Sequence, residues 1–111
     1  MGYALTQNEL RGQSRRYRGT GGVSQENHRQ GFRPAFLDRE TGVIYRSCYA
    51  DGRPAPFHLL DGLPHALVLT RASCGRVTEV KASVIAGFAL GGQFYNREEA
   101  ARLVTADAQA A

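Results

Sequence analysis

The chain lacks most of what marks a small catalytic or metal-binding protein. Its two cysteines, Cys48 and Cys74, do not form a CxxC pair. Structural zinc sites take their ligands in close pairs, because one tight turn presents two at once. The set Cys48, His58, His65 and Cys74 contains no such pair, so no metal site is expected. The glycine run Gly19-Thr20-Gly21-Gly22 lacks the Gly-Lys-Ser or Gly-Lys-Thr ending and the preceding strand of a phosphate loop. No stretch approaches the roughly 18 apolar residues of a membrane span. The N-terminus has no apolar core of a signal peptide. These absences lead us to expect a cytoplasmic protein with free thiols, no cofactor and no membrane partner. There is no tryptophan, and Lys81 is the single lysine against thirteen arginines.

Charge is present but unevenly placed. The 111 residues carry a formal net charge of +4. Residues 1–35 hold Arg11, Arg15, Arg16, Arg18, Arg29 and Arg33 against Glu9 and Glu26 alone. From residue 36 onward eight basic residues balance eight acidic ones. The excess therefore belongs to the first third, and such a segment favours polyanions through phosphate neutralisation and counterion release. A solvated arginine-rich tail has the same composition. The apolar fraction, 42%, lies just under the usual range of about 45–50%, so part of the chain is expected to contribute little to a core.

Hydrophobic patterning divides the sequence at residue 31. Residues 1–31 read as a flexible, basic, polar arm, and residues 32–111 as one domain. Within the arm, Thr6 and Glu9 spell a capping box for a short helix over residues 6–16, which only Leu5 and Leu10 could anchor. Residues 35–38 and 43–48 form a hairpin about a turn at residues 39–42, with Gly42 at positive φ. Residues 50–64, with the three prolines Pro54, Pro56 and Pro64, cannot be a central strand and are expected to fold over the sheet edge as a packed lid, with a helical turn at residues 57–60. Residues 66–72 and 76–84 form a second hairpin whose inner face carries Thr78, Val80, Ala82 and Val84. Residues 84–89 continue as a strand or bend at Gly87, and residues 93–95 are a short extended piece. Asn96 with Glu99 caps a C-terminal helix whose apolar stripe is Ala100, Leu103, Val104 and Ala108. The expected class is α+β: a small antiparallel sheet of about four or five strands, one C-terminal helix and the arm.

Three sets of residues bear on function. Arg15, Arg16, Tyr17 and Arg18, with Arg29 and Arg33, form the strongest: arginine neutralises phosphate, and tyrosine stacks on an exposed base. The same residues also fit an acidic protein surface. His58 with Asp51 or Asp61 would make an acid–base group of a small enzyme, although Asp-Gly is also ordinary turn chemistry. Cys74 with His58 or His65 would need a shared site that the sequence does not supply.

Gly31-Phe32-Arg33-Pro34-Ala35-Phe36-Leu37-Asp38, Ala50-Asp51-Gly52-Arg53-Pro54-Ala55-Pro56 and Leu59-Leu60-Asp61-Gly62-Leu63-Pro64 together resemble a group of small uncharacterised bacterial proteins. The likeness spans about residues 17–101 and implies no activity. Gly87-Phe88, Gly92-Gln93-Phe94 and Asn96-Arg97-Glu98-Glu99-Ala100 resemble the C-terminal strand–helix segment of phage-type proteins, with Tyr95-Asn96 where Val-Asp is more usual. That resemblance implies a mobile-element context. The expected function is a non-enzymatic binding or accessory protein whose partner is nucleic acid or a nucleoprotein complex. The alternatives are an inhibitor of a host defence complex, of the anti-CRISPR type, and the small His58 enzyme.

Overall fold

The computed structural model describes residues 4–110, with Ser24, Gln25 and residues 106–110 described in backbone only. Among these, seven strands form two antiparallel sheets. The four-stranded sheet has the order β3 (Val43–Arg46), β2 (Arg33–Asp38), β6 (Val84–Leu90), β7 (Gln93–Asn96). The three-stranded sheet has the order β1 (Leu5–Thr6), β5 (Val77–Val80), β4 (Val68–Arg71). Helices α1 (Gln7–Arg16), α2 (Ser24–Asn27) and α3 (Arg97–Ala110) complete the α+β architecture.

The first hairpin follows local turn chemistry. The Asp38 carboxylate accepts from the Glu40 N–H and the Thr41 hydroxyl, and Gly42 closes the turn at φ 76°. This sets the register Asp38↔Val43. The strand β6 runs through Gly87, where a side chain would collide with the Phe94 ring and the Tyr95 carbonyl.

The second hairpin departs from simple alternation. Val77 and Val80 are both buried although they lie three residues apart, and Thr78 is exposed. Two inward residues at odd spacing require one extra residue between them. The pairing shows this: Thr70 faces Glu79 and Arg71 faces Val77, so Thr78 bulges out, and Leu69 does the same on β4. The expected inner position of Thr78 is thereby taken by Val77.

Residues 47–64 pack as a lid, with Ala55, Leu59, Leu60 and Leu63 buried. No helical turn forms at residues 57–60. The Leu59 N–H is instead taken by the Ser47 hydroxyl at 2.8 Å, which itself donates to the Phe57 carbonyl at 2.7 Å. A 3-10 turn comes after Pro64, at His65–Leu67. Gly62 lies against Cys48: a Cβ there would sit 2.5 Å from the Cys48 carbonyl oxygen.

Part of the stretch read as an arm packs against the rest of the chain. Thr6 caps α1 by accepting from the Glu9 N–H, and Leu5 pairs with Val80 on the edge of β5. Leu5 and Leu10 join Phe36, Leu60, Leu63, Leu67, Val77, Val80, Val84 and Ala86 in the main core. The glycine run is also tied down: the Glu26 carboxylate accepts from the N–H groups of Gly19 and Gly21. At the far end, Asn96 and Glu99 cap α3 reciprocally, at 2.8 and 2.9 Å. Ala100 and Val104 pack with Phe32 and Phe88, Leu103 is 43% exposed, and the Ala108 side chain lies outside those described.

Candidate nucleic-acid interface

Helix α1 is fixed by a polar knot in the interior. Arg97, the first residue of α3, is 4% exposed. Its guanidinium donates from Nε to Gln13 Oε1 at 3.2 Å, from Nη1 to the Gly22 carbonyl at 3.0 Å, and from Nη2 to Ser14 Oγ at 3.3 Å. Nη2 also donates to His58 Nδ1 at 3.2 Å. Arginine has no acceptor, so His58 Nδ1 carries no proton and Nε2–H donates to the Gly87 carbonyl at 2.7 Å. The imidazole is wedged edge-on between Phe36 and Phe88, with ring centroids 5.4 and 5.3 Å away. Burial first, and then the Arg97 charge, push the His58 pKa down to about 3, against the hydrogen bond to Gly87. Burial lowers Arg97 to about 10, and it stays cationic at neutral pH.

This attachment decides which face of α1 meets solvent. At 100° per residue, Leu10, Gln13, Ser14 and Tyr17 point inward. Arg11, Arg15 and Arg18 follow at i, i+4 and i+7 along one flank. That flank forms one wall of a cleft of about 1040 Å³. The facing wall is the lid, with Tyr49, Phe57, Leu59 and Asp61, and Arg76 also lines the cleft.

The lid wall is rigidly presented. Phe57 is 49% exposed, yet its carbonyl is held by buried Ser47 and the next residues, His58 to Leu60, are buried. Tyr49 stands perpendicular to Phe57, with centroids 6.3 Å apart, and the Arg53 guanidinium lies 5.2 Å over the Tyr49 ring. The acid in the cleft is already neutralised: Asp61 accepts from Arg76 Nε at 3.1 Å and from the Val77 N–H at 2.9 Å. None of the ion pairs among the described residues involves Arg11, Arg15 or Arg18.

The six residues singled out from the sequence do not form one patch. Arg15 and Arg18 line this cleft. Arg16 and Tyr17 face a second cleft of about 600 Å³ on the other flank of α1, with Arg39 and Arg97. The Tyr17 ring packs on the Gly22 backbone. Arg29 is exposed on the 3-10 turn His28–Gln30, and Arg33 folds back onto the carbonyls of His28 and Phe32. Arg11, Tyr49, Phe57 and Arg76 were not anticipated. Helical spacing from the Thr6 cap carries Arg11, whereas the two rings and Arg76 arrive only through tertiary packing.

His58, Asp51 and Asp61 are not brought together as an acid–base group. Both imidazole nitrogens of His58 are occupied, Asp51 pairs with Arg53 at 2.7 Å on the surface, and Asp61 holds Arg76 and β5. Cys74 is exposed in a turn and Cys48 half-buried, both as thiols. Among the described residues no group of three or more His, Cys, Asp or Glu side chains converges as a metal site, and no helix is long and apolar enough to cross a membrane. Comparison with family models, curated proteins and solved structures finds no match to this chain.

Proposed function

We propose that the protein is a non-enzymatic binding module that takes a nucleic acid into the cleft between α1 and the lid, acting in the cytoplasm. The observation that carries this reading is the line of Arg11, Arg15 and Arg18 facing Tyr49 and Phe57 across one groove. Guanidinium groups without carboxylate partners neutralise phosphates, and each phosphate contact releases condensed counterions. Three such contacts to a single strand give a slope of log K against log salt of about −2. We expect a fluorescence-anisotropy titration between about 50 and 200 mM salt to return that slope. Replacing Arg15 by Ala is expected to weaken binding and flatten the slope by roughly 0.7. Binding that ignores salt, or that Arg11→Ala, Arg15→Ala and Arg18→Ala together leave intact, overturns the reading. The same arginines fit an acidic protein surface, as an inhibitor of a host defence complex would require. A complex captured on the cleft arginines that survives nuclease supports that alternative and counts against nucleic acid.

A further inference from the structure

We infer that the occupant of the cleft is a single strand, with one base stacked on the open face of Phe57. The inference rests on the nucleic-acid reading of the cleft. A duplex hides its base faces, so an exposed aromatic ring in a basic groove has a use only when bases are unstacked.

Phe57 is suited to that use by how it is held. The half-exposed ring projects from a backbone pinned on both sides, through the Ser47 hydroxyl to the Phe57 carbonyl and to the Leu59 N–H. Its exposure is therefore built into a fixed lid. Tyr49, itself covered by Arg53, braces the ring from the side. Arg11 and Arg15 lie one helical turn apart on α1, about 6 Å at 1.5 Å per residue, and Arg18 follows just past its C-cap, so backbone and base have separate walls to meet. The shape also disfavours a duplex. A reading helix must enter a major groove about 12 Å wide, but α1 lies flat on the domain with Leu10 and Ser14 against it, and the lid stands beside its arginine flank.

The absence of tryptophan supplies the test. Phe57→Trp introduces a single indole at the stacking position, and Phe57→Ala removes the ring. The site of both changes is half-exposed, and thermal melts establish that each variant is folded. Labelled oligothymidylate, oligouridylate and a duplex, each of about 12 nucleotides, are titrated by anisotropy at fixed salt. We expect either single strand to bind at least about tenfold more tightly than the duplex, and Phe57→Ala to lose about tenfold with its salt slope unchanged. The Phe57→Trp emission is expected to be quenched on adding the strand. Equal or tighter duplex binding, or an unaffected Phe57→Ala, sinks the single-strand inference and leaves the basic cleft standing. No salt-sensitive binding to any of the three sinks the proposed function as well.

Discussion

Arg97 is a buried cation whose partners are two side-chain oxygens, one carbonyl and one imidazole nitrogen, with no carboxylate among them. Removing it strands two buried acceptors, the Gly22 carbonyl and His58 Nδ1, along with the part-buried Gln13 and Ser14 oxygens, and each unsatisfied buried group costs about 1–3 kcal/mol. Arg97→Met is therefore expected to lower the unfolding free energy by about 3 kcal/mol or more in urea titration. His58 adds a pH dependence. Its folded pKa, about 3, lies below the ordinary value of 6.5. Between those values the unfolded chain holds a proton that the folded one does not, so stability drops as pH falls below 6.5, by up to about 1.4 kcal/mol per unit. His58→Gln, which keeps an acceptor and a donor, is expected to flatten that slope between pH 6.5 and 4.5 in denaturation curves. At Asp38, burial pushes the carboxyl pKa up, but hydrogen bonds from the Glu40 N–H and the Thr41 hydroxyl and the Lys81 charge bring it below the usual value. Its contribution is present above the ordinary value of 3.8 and is lost only as pH falls further, so it leaves the slope between pH 6.5 and 4.5 to His58.

At the scale of elements, α1 is weak by composition and strong by attachment. Gly12 sits in its interior, and a Cβ there would meet nothing within 4 Å. Gly12→Ala is expected to stabilise by about 0.5–1 kcal/mol in the same titration, through backbone entropy and helix propensity alone. Elements with local causes were legible in the sequence: the Asp38–Gly42 turn, the Asn96–Glu99 capping box and the Thr6 cap each depend on residues three or four apart. The Thr78 bulge was not, because it exists to bring Val77 and Val80 inward together against partners far away in the chain. The lid's path was hidden for the same reason. Ser47 reads as an ordinary strand residue until its hydroxyl is seen to occupy Leu59.

For the whole molecule, charge bias marks residues 1–35, and Leu5 and Leu10 of that stretch pack in the core. Arginines on a polar stretch suggest an arm. Two leucines and a buried arginine 84 residues away make it a structural wall. The proposed cleft was half legible accordingly: Arg15 and Arg18 were read as candidate phosphate contacts, whereas Phe57 and Tyr49 join them only when the lid closes opposite. Deleting residues 1–17 takes Leu5 and Leu10 out of the core, at about 2 kcal/mol each, and leaves Arg97 without Gln13 and Ser14. The shortened chain is expected to lose its cooperative melt by circular dichroism. A melt like that of the full chain would show that the segment adds nothing to the fold.

The long reach of Arg97 also sets an order of events during synthesis. The residues of α1 leave the ribosome first, but the guanidinium that anchors them is 84 residues behind at Gln13. At about 5–20 residues per second, the arginine helix waits roughly 4–17 s for its attachment. Through that interval the flank of Arg11, Arg15 and Arg18 stands among ribosomal RNA without the anchor that fixes it against the lid. A nascent chain stalled short of residue 97 keeps the charge without the cleft.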